Sequence, residues 1–192
     1  MTVYCATSNP GKLREFQLAA PDFDIRPLPV RVEPPEETGA TFEENAALKA
    51  LYYSQYTDGY LFADDSGLEV DALLGAPGVH SARFAGPEAE APENNLLLLE
   101  RLAGTVDRTA RFVCVIALVN NGQLVNTFRG AVEGRILTEL RGSGGFGYDP
   151  LFFHEPFGCT FGEASIEDKM KASHRGQALE AMFTYLRGIA ST

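Results

Sequence analysis

The feature that most restricts the fold is a pair of long β-prone runs joined by a tight turn. Residues 110–119 (ARFVCVIALV) and 123–136 (QLVNTFRGAVEGRI) are separated by NNG at 120–122. An asparagine–glycine turn between two such runs is typical of a β-hairpin, whose strands run antiparallel. A doubly wound fold instead has parallel strands connected by helices. The hairpin therefore excludes a purely doubly wound sheet.

Helix-like and strand-like segments alternate along the rest of the chain. The run at 41–56 has apolar residues at helical spacing, and Thr41 with Glu44 fits a capping box at its start. Such an alternation, together with the hairpin, predicts a mixed α/β protein. The other predictions are strands at 2–7, 23–29 and 60–65, helices at 11–20 and 93–104, a glycine-rich loop at 141–153 ending in an aromatic strand, and a final helix from about Ser173 as its N-cap.

Composition and charge exclude several classes of protein. The net charge of −10 on 192 residues argues against a protein that coats nucleic acid. The longest apolar run, FVCVIALV, is far shorter than the about 20 residues that span a bilayer, and the first residues lack the pattern of a secretory signal. Cys5, Cys114 and Cys159 lack CxxC spacing, as is typical of reduced cytosolic thiols. We therefore predict one cytoplasmic domain over 1–192 without nucleic-acid or membrane partners.

The segment TSNPGK at 7–12 joins the first strand to the first helix. A polar, glycine-containing turn that leads into a helix presents backbone N–H groups and the positive helix end to an anion. Lys12 lies in the first helical turn, where its ammonium can reach a phosphate oxygen. The pattern is not a P-loop, because GxxxxGK[ST] is absent. It fits a phosphate site or an ordinary turn with a surface lysine.

Two pairs of neighbouring acids are candidates for metal binding or proton transfer. Glu43 and Glu44 open the helix at 41–56, where acids are favoured anyway, but magnesium in phosphoryl chemistry also takes one or two carboxylates. Asp64 and Asp65 end an apolar strand, where desolvation is costly without a partner. Neighbours on a strand point to opposite faces, so these two must differ in role. Ser66 and the glycine after it predict a sharp turn there.

An aromatic loop and a basic helix start complete the set of candidate groups. In GGFGYDP, Phe146 and Tyr148 offer stacking faces for a base, and Asp149 can accept hydrogen bonds from ring N–H groups. His174 and Arg175 lie at the positive end of a helix, where cations are unfavourable without an anionic or carbonyl-rich partner. A phosphate cradle, acids for magnesium, an aromatic platform and a cationic cluster together predict a nucleoside triphosphate site.

The sequence resembles the inosine/xanthosine triphosphate pyrophosphatase family, which hydrolyses deaminated purine nucleoside triphosphates. The matching motifs occur in the family's order between residues 6 and 179: ATSNPGKLREF, TFEENAALKA, ADDSGLEVDALLGAPGVHSARFAG, GGFGYDPLFF and SHRGQAL. The resemblance implies an α/β fold with an elongated mixed β-sheet, flanking helices and two lobes with a cleft between them. It also implies a homodimer, dependence on Mg²⁺, and cleavage of the triphosphate to the monophosphate and pyrophosphate.

The resemblance further assigns roles to residues. Asp65 becomes the general base and, with Glu44, a metal ligand, while Asp64 supports the metal's water shell or braces the loop. Lys169 is preferred to Lys171 because it lies five residues before the histidine of SHR. The substrate-binding residues carried over by motif are Thr7, Ser8, Asn9, Pro10, Gly11, Lys12, Ser66, Phe146, Gly147, Tyr148, Asp149, Lys169, His174 and Arg175.

Two other functions remain compatible with the same residues. One is a pyrophosphatase for other modified nucleotides, such as modified pyrimidines, on a related fold. The other is a nucleotide-sensing protein without turnover. Because binding alone does not need acids that activate water, Glu44, Asp64 and Asp65 favour an enzyme.

Overall fold

A mixed β-sheet is the framework of the chain in this computed structural model, which describes residues 1–7 and 10–190. Its strands are β1 (Thr2–Cys5), β2 (Asp24–Pro27), β3 (Tyr60–Val70), β4 (Thr109–Asn120), β5 (Gln123–Ile136), β6 (Phe152–His154) and β7 (Cys159–Thr160). They lie in the order β2–β1–β3–β4–β5–β6–β7. β1 pairs in parallel with β2 and β3, whereas β6 pairs antiparallel with β5 and β7. The predicted mixed α/β fold is confirmed.

The helices flank this sheet, and most of them begin where the sequence predicts. They are α1 (Pro10–Ala19), α2 (Phe42–Tyr53), α3 (Ala91–Arg101), α4 (Ile166–Ala172) and α5 (His174–Ala190). α4 was not predicted, because its seven residues are mostly charged and form no apolar stripe. The capping signature was nevertheless present, since Ser165 Oγ accepts the Asp168 N–H at 3.1 Å. None of the described helices is long and apolar enough to cross a membrane.

β3 is longer than predicted, and the expected turn at Ser66 and Gly67 is wrong. The strand continues through these two residues to Val70. Leu68 and Val70 are completely buried, so the second half of the strand contributes to the core as the first half does. The chain turns after Val70, where Leu74 and Gly75 both have positive φ angles, of 55° and 88°. The serine–glycine pair therefore lies inside a buried strand and does not end it.

The chain divides into two compact units. Unit 1 comprises Met1–Asp65, Cys114–Gly130 and His174–Thr192, and unit 2 comprises Ser66–Val113 and Ala131–Ser173. In the core of unit 1, the rings of Phe16 and Phe62 meet edge to face with centroids 5.2 Å apart. The core of unit 2 is built around aromatic rings and leucines: Leu68, Leu98, Leu102, Phe112, Tyr148, Phe152 and Phe161.

Within unit 1, α5 approaches β5 closely at Gly130. A β-carbon at this position would overlap the carbonyl oxygen of His174 and lie 2.8 Å from the backbone nitrogen of Ala178. Both obstacles are backbone atoms, which cannot rotate out of the way as a side chain can. The absence of a side chain at Gly130 therefore sets where the first turn of α5, with His174 and Arg175, lies on the sheet.

Candidate functional site

The two acids of β3 have different partners in unit 1. Lys12 Nζ, from the first turn of α1, donates to Asp64 Oδ2 at 2.7 Å. Lys49 Nζ, from α2, donates to Asp65 Oδ1 at 2.8 Å. Both carboxylates are buried, with Asp64 5% and Asp65 7% exposed. The alternation of a strand therefore gives each acid its own lysine and its own electrostatic environment.

Asp64 is held in its ionised form. Burial raises the pKa of this carboxyl, but the charges of Lys12, Arg175 and Lys49 lower it further, to a pKa of about 2. Arg175 is itself among the largest fully buried side chains of the chain. The Asp64 carboxylate thus supplies the anionic partner that the positive charge at the start of α5 requires.

Asp64→Asn is expected to lower stability near neutral pH and to lose this effect in acid. The folded carboxyl has a pKa of about 2 against an ordinary value of 3.8. A depressed pKa of this size stabilises the fold by about 2 kcal/mol above pH about 4, and the effect disappears as the pH falls through about 2. Urea unfolding of both proteins across this pH range measures the difference. A difference that stays constant with pH would contradict the assignment.

The pKa of Asp65 shifts in the opposite direction from that of Asp64. Burial, the largest influence, raises its pKa above the ordinary value, and the nearby charge of Lys49 offsets only part of this. Asn45 Nδ2 also donates to Asp65 Oδ2, at 3.3 Å. A buried carboxylate whose pKa is raised, and whose orientation is fixed by two donors, has the properties of a general base.

Lys49 and Glu37 are residues of this group that sequence reasoning missed. Lys49 Nζ lies 2.7 Å from Glu37 Oε1 and 2.8 Å from Asp65 Oδ1. Asn45 and Lys49 are one helical turn apart in α2, beside the buried residues Ala46 and Ala50. Two polar residues at this spacing on the buried face of a helix were the signal for Lys49. Glu37 lies in a loop without periodicity and gave none.

Glu44 and Glu43 both have structural partners. Thr41 Oγ1 accepts the Glu44 N–H at 3.1 Å, as the capping box predicts. The Glu44 carboxylate accepts the N–H of Ala40 at 2.7 Å, rather than that of Thr41. Glu43 forms an exposed ion pair with Arg129 at 2.7 Å. The two acids therefore stabilise the start of α2 and its contact with β5.

The carboxylates of unit 1 fit a magnesium ion. Glu37 and Asp65 already hold one cation between them, the ammonium of Lys49. The described residues contain no group of three or more acidic, histidine or cysteine side chains placed to hold a metal. Magnesium in phosphoryl-transfer sites needs only one or two carboxylates, because water and substrate oxygens supply its other ligands.

In unit 2, the loop 144–149 is fixed by a buried ion pair. Lys169 Nζ donates to Asp149 Oδ2 at 2.7 Å, and the two side chains are 4% and 3% exposed. The same carboxylate oxygen accepts the Phe146 N–H at 2.7 Å. Lys169 Nζ also lies 4.8 Å from the centroid of the Phe146 ring, a cation–π contact. The side chain of Lys171, by contrast, is 76% exposed.

The two predicted stacking rings have different environments. Phe146 is 38% exposed, so part of this residue is accessible. Tyr148 is 4% exposed and belongs to the core of unit 2. Its hydroxyl donates to the carbonyl oxygen of Ser81 at 2.8 Å. The expectation that Tyr148 offers a stacking face is therefore wrong, because its ring packs inside the protein; stacking by Phe146 stays a prediction.

The remaining predicted residues lie on or beside β1, α1, β3 and α5. Thr7 follows β1 and is half-buried, Pro10 and Gly11 open α1, and Ser66 is half-buried on β3. Ser8 and Asn9 lie outside the described residues. His174 begins α5 and is 3% exposed. Within unit 1, the charges of Lys12, Arg175 and Lys49 act on Asp64, and the charge of Lys49 also acts on Asp65.

Comparison with known proteins gives a consistent result. The model of the Ham1 family matches residues 3–185. A protein of Exiguobacterium sp. named dITP/XTP pyrophosphatase is 50% identical over 186 residues, covering 95% of each chain. One of Acidobacterium capsulatum with the same name is 46% identical over 201 residues, covering 98% of this chain and 99% of the relative. The structure of a HAM1 protein from Coxiella burnetii is 40% identical, with a TM-score of 0.89, and covers 98% of this chain and 99% of that one.

Proposed function

This chain belongs to the Ham1 family, and we propose that it hydrolyses the deaminated purine nucleoside triphosphates ITP, dITP and XTP to the monophosphate and pyrophosphate. The names of its relatives support this substrate class. The observation that carries the proposal is the pair of buried acids on β3, each bonded to its own lysine. Removal of such nucleotides from the cellular pool is the corresponding role.

Asp65 acts as the general base on the water that attacks the α-phosphorus. Its raised pKa suits proton acceptance near neutral pH, and Lys49 with Asn45 fixes the direction of its oxygens. Lys12 offsets the charge of the phosphates, and Asp64 holds Lys12 in place. Pyrophosphate leaves as the new bond to water forms.

Asp65 and a glutamate would hold Mg²⁺. When bound, the ion neutralises phosphate charge and lowers the pKa of its water. The sequence favours Glu44 as the second ligand. Glu37 is the alternative second ligand, because its carboxylate and that of Asp65 both contact the Lys49 ammonium. The carboxylate of Glu44 instead accepts a backbone N–H at the start of α2.

The base is recognised through hydrogen bonds that adenine cannot make. Deaminated purines carry a 6-oxo acceptor and a protonated N1. A protein donor facing the 6-oxo group and a protein acceptor facing N1–H reject ATP, because adenine leaves these buried protein groups unpaired. Such discrimination can reach about 10⁴-fold. Phe146 stacks on the base, while Asp149, Lys169, His174 and Arg175 hold the nucleotide. Guanine shares both features, so GTP is rejected at the 2-position, where its amino group finds no partner.

A substrate panel tests the function. The full-length protein is incubated with Mg²⁺ and ITP, dITP, XTP, GTP, ATP or modified pyrimidine triphosphates, and pyrophosphate and monophosphate are both measured. We expect rapid hydrolysis of the first three and little of ATP. Comparable kcat/KM for ATP and ITP would contradict the specificity, preference for a pyrimidine would favour the related pyrophosphatase, and unchanged triphosphate would indicate a sensor.

We also propose that residues 1–192 form a single catalytic domain and that the protein is a cytoplasmic homodimer without nucleic-acid or membrane partners. The dimer is supported by α3, where the run LLLL exceeds what one helix face buries and Leu96 is 60% exposed. The net charge of −10 opposes binding to nucleic acid.

A further inference from the structure

Asn95 connects α3 to the aromatic loop of unit 2. Its Nδ2 donates to the carbonyl oxygen of Gly147 at 3.0 Å. The side chain is buried, with the residue 6% exposed. Asn95 Oδ1 is also buried, and it accepts no hydrogen bond from the described residues. The acceptor oxygen of this amide is therefore unused.

A buried acceptor without a partner lowers stability, because it has given up its hydrogen bonds to water. A leucine at position 95 has the same branched arrangement of heavy atoms and would avoid that penalty. The asparagine is thus a poor choice for stability alone. What it provides is one hydrogen bond to one backbone carbonyl, that of Gly147.

This bond holds the Gly147–Tyr148 peptide, which makes no other hydrogen bond to the described residues. Phe146 N–H is bonded to the Asp149 carboxylate, and the Tyr148 side chain is bonded to the Ser81 carbonyl. Gly147 has a φ of +61°, a conformation that glycine adopts without strain but does not enforce. Among the described residues, only Asn95 donates to the Gly147 carbonyl.

The Gly147–Tyr148 peptide carries a donor on its other side. Because the peptide is planar and trans, the Tyr148 N–H points away from the carbonyl that Asn95 holds. This N–H donates to no acceptor in the described part of the chain. Tyr148 as a residue is 4% exposed, and a backbone N–H in such surroundings is normally paired with protein or water. The Tyr148 N–H is therefore available to a ligand acceptor.

We propose that Asn95 is a positioning residue for base specificity: it orients the Gly147–Tyr148 peptide so that the Tyr148 N–H donates to the 6-oxo group of the base. The proposal rests on the function proposed above. An adenine base has an amino group at this atom and cannot accept the bond. Asn95 therefore acts on the discrimination between 6-oxo and 6-amino purines, not on the chemistry at phosphorus.

Asn94 provides a matched control. It is the preceding residue of α3, is 4% exposed, and uses its amide fully: Nδ2 donates to the carbonyl of Ala82 at 3.0 Å, and Oδ1 accepts the N–H of Ala85 at 2.8 Å. Asn94→Leu removes two hydrogen bonds from a neighbouring turn, whereas Asn95→Leu removes one and relieves an unpaired oxygen. We therefore expect Asn94→Leu to lower the thermal unfolding midpoint more.

The test measures binding of IMP and AMP to the wild type, Asn95→Leu and Asn94→Leu by calorimetry, which does not depend on turnover. Asn95→Leu is expected to weaken IMP binding about 10-fold, the value of one hydrogen bond, and to leave AMP binding unchanged. Asn94→Leu is expected to leave the ratio of the two affinities as in the wild type. With ITP as substrate, Asn95→Leu should raise KM and leave kcat near the wild-type value.

Three results would overturn the inference. They are an unchanged IMP-to-AMP ratio in Asn95→Leu, a wild type that does not prefer IMP, and losses of IMP affinity in both variants that follow their unfolding midpoints. Absence of triphosphate hydrolysis by a wild type that prefers IMP would instead refute the proposed function and leave the role of Asn95 in base recognition supported.

Discussion

Asp65→Asn is expected to lower the turnover of ITP by about 10²–10⁴-fold, the usual effect of removing a general base. The substitution keeps the shape of the side chain and the hydrogen bond from Lys49 to its oxygen. It removes the ability to accept a proton from water. Because Lys12 and the loop 144–149 are untouched, KM for ITP should change much less than kcat. Steady-state kinetics at saturating Mg²⁺ separates the two parameters.

Asp64→Asn is the matched control, since it is the same change one residue earlier on the same strand. Its main effect should be on stability and on KM, because Asp64 holds Lys12. Retention of more than about a tenth of wild-type turnover by Asp65→Asn would exclude it as the base. A larger loss of kcat in Asp64→Asn would show that the two roles are reversed.

Lys169→Met is expected to lower the free energy of unfolding by about 3–5 kcal/mol, because it leaves the buried Asp149 carboxylate without its cation. The two side chains are 4% and 3% exposed, so water cannot replace the lost partner. Methionine nearly preserves the volume, and the loss therefore reports the charge rather than a cavity. Urea unfolding followed by circular dichroism measures the change.

Two further variants isolate the charge effect. Lys169→Met combined with Asp149→Asn removes both charges and should recover most of the stability, since an uncharged buried pair has no such penalty. The double variant should not recover ITP hydrolysis, since both residues are proposed to hold the nucleotide. Lys171→Met changes a 76% exposed lysine on the same helix and should affect neither quantity. A full loss of stability in the double variant would mean that the lysine acts by packing.

The sequence predicts the elements whose periodicity is long and regular. The hairpin of β4 and β5 and the helix α2 were predicted because each has enough residues for an unambiguous pattern. The end of β3 was mispredicted because Ser66 and the following glycine resemble a turn, whereas burial against neighbouring strands decides the structure. α4 was missed because a short charged helix has no apolar period, and only its N-cap Ser165 indicated it.

The site was predictable where chemistry is carried by local motifs. The separation of Asp64 from Asp65 follows from strand geometry alone, and the lysine partners agree with it. The contact of Lys49 with Glu37 joins residues from a helix and an irregular loop, and no local pattern encodes such a pairing. Tyr148 shares its core with Leu98 of α3 and donates to Ser81, and both residues are distant from it in sequence.

The composition of the two units has a consequence for the order in which the protein is made. Unit 2 ends at Ser173, while unit 1 still requires His174–Thr192. During synthesis, every residue of unit 2 therefore leaves the ribosome before Arg175 is available to balance Asp64. Contacts between distant segments also form slowly. We expect the nascent chain to form the core of unit 2, with the Lys169–Asp149 ion pair, before Arg175 joins Asp64 in unit 1.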